Sequence, residues 1–309
     1  MQFAIFVRKG CENLAIDEVK KIAGKKLVKK RQLFEFSTNK VVDGCKLCYC
    51  SRSIRKVLLC ITEKEIKRYV GDNDDLIRKV VKKIDKKTYI DFSVPGLDKR
   101  SYIVKDNPPN LSSCIAFLAV RETDFKKEDV LLDPLCRGGK FLIEAAHFTN
   151  NIPPGKFIKR FAFMDFKIFE NGNFEQVFKK WDKSKKRKLK IFGLDSYTGN
   201  IDNAKQNIKK ANVKAKLSCR SIDWMDCLFR RNSVDKIVIM LPSGKHKSTE
   251  ALYRELFYQS DYCLNKKGLM VVLSEQENLI KKYAEHMNLE IVKIIELNRI
   301  KLFKLKPLL

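Results

Sequence analysis

The stretch VLLDPLCRGGKFLIEAA, residues 130–146, joins an apolar run to an amphipathic run through a turn that contains two glycines. The first four residues have the apolar, branched side chains of a buried strand, and the strand ends on Asp133. The run from Lys140 onward has helical apolar spacing. Because Gly138 and Gly139 add no side chain, backbone amides could approach a small ligand at the helix N-terminus. The stretch therefore predicts a strand, a ligand-binding loop and a helix.

The same alternation continues on both sides of this stretch. Helical patterns separate five apolar strands, and two further strands close the chain as an apparent hairpin. These strands are VLLD, KIFGLD, AKLSCRSI, DKIVIML, GLMVVLS, LEIVKIIEL and IKLFKLK. The order predicts an α/β domain with a mostly parallel, doubly wound sheet of seven strands, one of them antiparallel. Ligands of such sheets bind at the carboxyl ends of the strands.

The N-terminal part has a different order of strand and helix patterns. Strand and helix patterns there follow a β-α-β-β-α-β-like order, which suggests a small sheet with helices on one face. The next segment holds one helical pattern, DLIRKVVKKI, and one strand pattern, YIDFSV, and we interpret it as a connector. We thus expect a small domain over residues 1–62, a connector over 63–96 and the α/β domain over 97–309.

The charge is strongly unbalanced. Lysine and arginine total 64 against 37 aspartate and glutamate, a formal net charge of +27 over 309 residues. This excess favours a polyanionic partner such as nucleic acid. The alternative is a lysine-rich, heat-adapted surface, but ion-pair networks of that kind are balanced in sign. No apolar run reaches membrane-spanning length, and the N-terminus becomes charged too early for a signal peptide, so we expect a cytoplasmic protein without a membrane partner.

Ten cysteines are expected to be reduced thiols in this compartment. Cys45, Cys48 and Cys50 could supply three thiolates to a metal, with Cys60 as a fourth. However, Cys48 and Cys50 are too close for a zinc knuckle, and no second pair at knuckle spacing follows. We therefore expect no metal site.

Acidic residues follow three successive predicted strands. Asp133 ends the first, Asp195 ends the second, where a carboxylate can accept ribose hydroxyls, and Asp223 follows the third, where it could accept an adenine amino group. Each alone could be a helix cap. Together and in this order they indicate an adenosine-containing cofactor.

These residues also carry a family resemblance. VLLDPLCRGGKFLIEAA resembles the DPFCGSGT…IEAA loop of the class I S-adenosylmethionine methyltransferases that modify guanine N2 in tRNA and rRNA. PPNLSSCIAFLAV, NNIPPGKFIKRFAFMDF and IFGLDSYTGNIDNAKQNIKKANV are similar to segments around that loop. KGCENLAIDEVKKI and CYCSRSIRKVLL look like the ferredoxin-like domain that precedes it.

The resemblance implies a Rossmann-like class I methyltransferase domain preceded by a small ferredoxin-like α+β domain. It also implies S-adenosylmethionine as cofactor and structured RNA as partner, with tRNA ahead of rRNA and no DNA. The cofactor-binding residues that it implies are Asp133, Cys136, Gly138, Gly139, Asp195 and Asp223, with Cys136 as a small residue of the loop.

Two features depart from the family around RNA binding and the base pocket. The segment 63–96 is too short for a complete THUMP domain, so RNA contacts would come from elsewhere, such as the lysines of KKWDKSKKRKLK, which could equally be a solvated charge run. The catalytic turn of the family reads Asn or Asp, then Leu or Pro, then Pro, an aromatic residue and Gly. The corresponding residues here are Met240, Leu241, Pro242, Ser243 and Gly244. Methionine offers no comparable acceptor to orient the amine and serine cannot stack on a flipped base, while the Leu241 carbonyl and Pro242 would remain. An aromatic ring from elsewhere, such as Trp224, could replace the stacking.

The cofactor loop departs too, because Arg137 stands at its first glycine and Lys140 at its threonine. Arginine resists positive φ, and either cation could repel a sulfonium. Either could instead pair with the carboxylate of the cofactor or with an RNA phosphate. The sequence thus favours a tRNA guanine-N2 methyltransferase. A catalytically degenerate protein that binds structured RNA or supports an active partner is the main alternative, and methylation of rRNA or of another RNA atom is a third.

Overall fold

The computed structural model describes residues 1–30, 33–105, 111–244 and 247–308. Residues 108–110 of the PPNLSSCIAFLAV segment lie outside this description. The chain forms two compact units, one of Met1–Ser101 with Asn151–Lys185 and one of Tyr102–Asn150 with Lys186–Leu309. None of the helices within the described ranges is both long and apolar enough to cross a membrane.

The strands and helices follow one another along the chain. The strands are β1 (Gln2–Val7), β2 (Val28–Lys30), β3 (Leu33–Ser37), β4 (Ile54–Ile61), β5 (Val81–Ile84), β6 (Lys87–Asp91), β7 (Val130–Asp133), β8 (Lys190–Leu194), β9 (Lys216–Ser218), β10 (Val234–Met240), β11 (Leu264–Ser274), β12 (Leu289–Leu297) and β13 (Ile300–Pro307). The α-helices are α1 (Glu12–Ala23), α2 (Val42–Cys50), α3 (Ile66–Tyr69), α4 (Asp74–Val80), α5 (Ser113–Glu122), α6 (Lys140–Thr149), α7 (Phe174–Trp181), α8 (Thr198–Lys210), α9 (Met225–Leu228), α10 (Lys247–Cys263) and α11 (Glu277–His286). Short 3-10 turns cover Glu63–Glu65, Pro154–Phe157, Ala162–Asp165, Lys167–Phe169 and Ile222–Trp224.

The first unit is built on a sheet of order β2-β3-β1-β4-β6-β5 in which neighbouring strands are antiparallel. Its first four strands, with α1 after β1 and α2 after β3, have the order and pairing of a ferredoxin-like fold. Alternate strand residues such as Phe3 and Leu59 enter one core with Ala15 of α1 and Cys48 of α2. Aromatic residues from the Asn151–Lys185 segment complete that core.

The unit boundaries differ from the expected division in two places. The segment 63–96 adds β5 and β6 to the first sheet, and the excursion over residues 151–185 belongs to the first unit. Within DLIRKVVKKI only the first part is helical, since VKKI forms β5. Asp85 and Lys86 both adopt positive φ, 47° and 62°, as a two-residue hairpin turn requires. Pairing with β6 therefore outweighs the helical spacing of this short run.

The second unit contains a sheet of order β12-β13-β11-β10-β7-β8-β9. Strands β7 to β11 are parallel where they pair, and β13 is antiparallel to both of its neighbours. This confirms the predicted seven-stranded, mostly parallel sheet with a closing hairpin. The chain order reverses between β7 and β10, which is the point where open α/β sheets bind their ligands.

Candidate active site

Asp133 ends β7 at this reversal point and is almost fully buried, with 1% of its surface exposed. Its Oδ1 accepts the Leu135 amide at 3.2 Å. Its Oδ2 is a buried atom without a hydrogen-bond partner among the described residues. Desolvation raises the pKa of Asp133 to about 8, against the opposing effects of the Leu135 amide and the Arg137 charge. The loop thus begins with a buried acceptor that can take a further donor.

Arg137 adopts the left-handed backbone conformation that a glycine would favour, with φ of 47°. Its amide donates to Asp195 Oδ2 at 2.9 Å, which ties the loop after β7 to the end of β8. An L-residue with a Cβ loses about 1–2 kcal/mol in this conformation. Desolvation lowers the pKa of Arg137, whereas Asp133 and Asp195 act to raise it. The guanidinium therefore lies partly buried in the field of two carboxylates.

Gly138 and Gly139 close the loop against α8. A Cβ at Gly138 would lie 3.1 Å from both the Asn207 Nδ2 and the Lys105 carbonyl oxygen, so a side chain there would require these neighbours to shift by a few tenths of an ångström. Gly139 has φ of 76°, and its amide donates to the Cys136 carbonyl at 2.7 Å. That amide is therefore engaged within the loop.

Cys136 contributes packing to the loop. Its Sγ would lie 3.0 Å from a Cβ built at Gly193 of β8, so the thiol points at that strand. Its amide donates to the Leu194 carbonyl at 2.7 Å. Burial raises the pKa of this thiol well above its usual value, which keeps it protonated and unreactive.

Asp195 follows β8 and is 1% exposed. Its Oδ1 accepts the Tyr197 amide at 3.0 Å and the Asn200 amide group at 2.9 Å, while Oδ2 accepts the Arg137 amide. Three donors fix the carboxylate in one orientation. A carboxylate has about four acceptor positions, so one remains for a ligand hydroxyl.

Asn207 of α8 is a site residue that the sequence reasoning missed. It is fully buried, and its Oδ1 accepts the amides of Val104 and Lys105 at 2.9 and 3.1 Å. Its Nδ2 donates to the carbonyls of Lys105 and Gly138 at 2.7 and 2.9 Å. The available signal was an amide at a helix position whose neighbours on the same face, Ile201 and Ala204, are apolar.

Asp223 lies in the 3-10 turn after β9, and its carboxylate is exposed. It accepts a hydrogen bond from the Ser221 hydroxyl. Trp224 beside it is 46% exposed, and the Arg220 guanidinium lies 5.1 Å from its ring centroid. Both side chains thus remain accessible on the third strand end.

The turn Met240–Gly244 follows β10. Met240 is 7% exposed and Leu241 2%, and the Leu241 amide donates to the Leu273 carbonyl at 3.0 Å. Pro242 is partly buried and Ser243 is exposed. Backbone hydrogen bonding thus continues the sheet into the first half of the turn.

Two residues outside the motif, Tyr253 and Gln276, donate hydrogen bonds to this turn. The Tyr253 hydroxyl donates to the Pro242 carbonyl at 3.3 Å and lies 2.6 Å from the Ser274 hydroxyl. Gln276 Nε2 donates to the Gly244 carbonyl at 3.2 Å. No local pattern marks these contacts in the sequence, because they come from α10 and from the end of β11.

Two further predicted features have clear positions. The Lys140 amine donates to the Leu111 carbonyl at 2.6 Å, so this cation ties α6 to the segment before α5. The thiols of Cys45 and Cys48 are buried in α2, which raises their pKa values well above the usual range. No group of three or more metal-binding side chains occurs in the described ranges.

The sheet order and the acidic residues after β7, β8 and β9 define a Rossmann-like class I methyltransferase fold. The chain belongs to the RMKL-like methyltransferase domain family, whose sequence profile matches residues 100–302. The resemblance noted in the sequence is thereby confirmed.

Named relatives show what the family contains. The chain is 30% identical over 201 residues to a tRNA (guanine(6)-N2)-methyltransferase of Methanocaldococcus jannaschii, covering 63% of this chain and 52% of the relative. It is 24% identical over 234 residues to the enzyme of that name from Archaeoglobus fulgidus, covering 74% and 55%. A ribosomal RNA large subunit methyltransferase K/L of Buchnera aphidicola is 26% identical over 203 residues, covering 60% and 29%. The chain therefore spans about half the length of the two archaeal relatives.

Solved structures support the fold over almost the whole chain. SMU.472, described as a putative methyltransferase complexed with SAH, superposes with a TM-score of 0.82 at 17% identity, covering 100% of this chain and 98% of that one. A protein described as an N6-adenine-specific DNA methylase from Listeria monocytogenes gives 0.81 at 18% identity, covering 98% and 95%. At these identities the likeness establishes the fold alone.

Proposed function

We propose that this chain is an S-adenosylmethionine-dependent RNA methyltransferase that acts on guanine N2 of tRNA in the cytoplasm. Membership of the methyltransferase family and the names of the archaeal relatives support the reaction and the substrate. The observation that carries the cofactor assignment is the buried Oδ2 of Asp133, which has no partner among the described residues and lies beside the half-buried Arg137.

The residues present fit this cofactor. The open Oδ2 of Asp133 would accept the ammonium of the methionine moiety, and the Arg137 guanidinium would pair with its carboxylate. The remaining acceptor position of Asp195 would take a ribose hydroxyl, and exposed Asp223 the adenine amino group. Gly138, Gly139 and Cys136 shape the loop without contacting the cofactor through side chains. When bound, S-adenosylmethionine supplies a methyl group activated by a sulfonium.

The turn Met240–Gly244 would receive the target base. The Leu241 carbonyl can accept one proton of the guanine amine, and Pro242 can pack on the ring. The contacts from Tyr253 and Gln276 fix the turn before RNA arrives, which lowers the entropy cost of orienting the amine. The chain would thus promote a direct displacement by positioning, with no covalent enzyme intermediate.

A second candidate function follows from the same turn. Met240 is 7% exposed and supplies no strong acceptor, and Ser243 supplies no stacking surface. Losing base stacking costs about 1–3 kcal/mol. These two residues favour a protein that binds structured RNA, or supports an active partner, without transferring methyl groups. The K/L relative also keeps rRNA open as the substrate, and DNA is not expected.

Calorimetric titration with S-adenosylmethionine tests the cofactor, and Arg137→Gly makes the test sharper. If Arg137 pairs with the cofactor carboxylate, this variant should bind roughly 10- to 100-fold more weakly, as the loss of a charge-assisted hydrogen bond predicts. If Arg137 only obstructs the loop, restoring glycine should tighten binding. A wild-type protein that gives no heat, with or without tRNA, would contradict the cofactor assignment.

Methyl transfer needs its own measurement. Wild-type protein, S-adenosylmethionine and an unmodified tRNA transcript should yield N2-methylguanosine on nucleoside analysis. Cofactor binding without any methylated nucleoside from tRNA or rRNA would instead support the degenerate RNA-binding protein.

A further inference from the structure

On one face of the first unit's sheet, the apolar cluster formed by the described residues contains strand residues and no helix residue. On the opposite face, Phe3, Val57 and Ile90 pack in the core that contains α1 and α2. Alternate residues of the same strands point the opposite way and form a small cluster of Ala4, Leu58 and Tyr89, bordered by Phe6, Leu33, Cys60 and Ile84. All of these residues lie on strands, so we call this side the helix-free face.

The acidic residues of this face are already neutralised. Register places Glu35 opposite Ala4 and Asp91 opposite Leu58. Lys30 lies 3.0 Å from Glu35, which also accepts the Gln2 amide group at 2.7 Å, and Lys56 lies 3.3 Å from Asp91. Neither acid is therefore left to balance further positive charge on this side.

Two more lysines lie on the same face. Lys82 of β5 is opposite Tyr89, and Lys87 of β6 is opposite Ile84. Within the described ranges neither forms an ion pair with an acidic side chain. On the other side of β5, by contrast, Lys83 pairs with Glu63 at 2.5 Å. The excess positive charge of this strand pair is therefore concentrated on the helix-free face.

We propose that the helix-free face docks against the sugar–phosphate backbone of the RNA substrate. The lysines that lack an acidic partner among the described residues, Lys82 and Lys87, lie on the neighbouring strands β5 and β6, whereas Lys30 on β2 and Lys56 on β4 pair with the acids of this face. Flexible lysine amines suit phosphates, which attract cations without requiring a base sequence. The net charge of +27 agrees with such a partner. The inference rests on RNA being the substrate, as proposed above.

Two alternative roles of these lysines lead to different outcomes. Lysines on edge strands can simply prevent sheets from pairing edge to edge. The face could also bind a second copy of this chain. Protection of the edge predicts no specific loss of RNA binding when these lysines are neutralised, and self-association predicts a change of oligomeric state.

The alternation of β5 and the following turn supplies a matched control. Lys82→Gln with Lys87→Gln removes two positive charges from the helix-free face. Lys83→Gln with Lys86→Gln removes two from the adjacent residues, one on the helix side and one in the turn. The two variants have the same net charge and differ in where the charge is lost, and the control also removes the ion pair between Lys83 and Glu63.

Binding of an unmodified tRNA transcript to the whole 309-residue chain would be measured by fluorescence anisotropy between about 50 and 200 mM salt. For the Lys82/Lys87 variant we expect affinity to fall about tenfold and the slope of log K against log salt to fall by roughly 1.5–2, as for two lost phosphate contacts. The control should change much less. Lys82→Arg with Lys87→Arg should restore binding.

The docking face would be contradicted if both glutamine variants lost RNA affinity equally, or if neither lost any. A change in sedimentation without a change in RNA affinity would also contradict it. S-adenosylmethionine titration of each variant reports whether the second unit is intact. If wild-type protein binds S-adenosylmethionine but no RNA, the proposed RNA substrate is contradicted. Equal RNA affinity of the two glutamine variants is a different result, because it contradicts only the docking face.

Discussion

At the residue scale, Asp133 and Arg137 together determine the charge of the cofactor loop. Burial favours a protonated Asp133, whereas a cation beside it favours the carboxylate. The sequence predicted Asp133 and Asp195 at the ends of successive strands, where ligands of parallel sheets bind. The left-handed conformation of Arg137 could not be read from its identity, since its amide contact with Asp195 depends on tertiary structure.

Asp133→Asn should change how stability depends on pH. Burial raises the pKa from 3.8 to about 8 in the folded protein. Between these values the folded state keeps a proton that the unfolded state has lost, so stability falls as pH rises through this window and levels off above the folded pKa. The variant lacks this dependence, and its stability relative to wild type should rise by at least about 1 kcal/mol between about pH 5 and 8.

Urea denaturation at about pH 5, 6.5 and 8 measures this difference across the window between the two pKa values. For Asp223→Asn, which removes an exposed carboxylate at the same edge of the sheet, the free energy of unfolding should differ from that of wild type by the same amount at each pH. If the difference in unfolding free energy between Asp133→Asn and wild type were also the same at each pH, Asp133 would be ionised in the folded protein.

At the element scale, helix α8 positions the cofactor loop through Asn207. The sequence predicted helical patterns between the strands of the α/β domain, and α8 follows β8 as that order requires. The role of Asn207 was not predicted, because its four hydrogen bonds join segments about 70 and 100 residues away. The strand at VKKI was missed for a related reason, since its partner β6 outweighs local preference.

Asn207→Ala should destabilise the protein by about 1–3 kcal/mol, because it removes four hydrogen bonds and leaves the buried Gly138 carbonyl without this partner. Thermal denaturation should show a lower Tm, and cofactor binding should weaken because the loop loses its support. Gln206→Ala, at the exposed neighbouring position, should stay within about 0.5 kcal/mol of wild type. An Asn207→Ala protein as stable as the Gln206→Ala control would show that water replaces these bonds.

At the scale of the whole molecule, the class of both sheets could be predicted from strand order and periodicity. The division of the chain into its two units could not be predicted from the sequence. Phe161, Phe163 and Phe166 lie within the sequence of the α/β region, yet they are at most 1% exposed in the core of the first unit. The sequence showed only that their segment resembles one of the family, and nothing local to it indicates which sheet it packs against.

A fragment of residues 1–101 should therefore fail to fold cooperatively. Each missing phenylalanine removes about 1.5–3 kcal/mol of burial, which together approaches the whole stability of a typical domain. Circular dichroism should show no sharp thermal transition. Joining residues 151–185 to this fragment through a short glycine-serine linker should restore one, and a sharp transition in the fragment alone would contradict the role of the aromatic segment.

The discontinuous first unit also has a consequence for biosynthesis. The ribosome completes residue 101 while 84 residues still separate the nascent chain from the end of that unit at residue 185. At about 5–20 residues per second, this delay lasts about 4–17 s. During that interval the aromatic residues that complete the core of the first sheet have not yet been synthesised. A nascent chain of this protein would therefore most need a chaperone in this period.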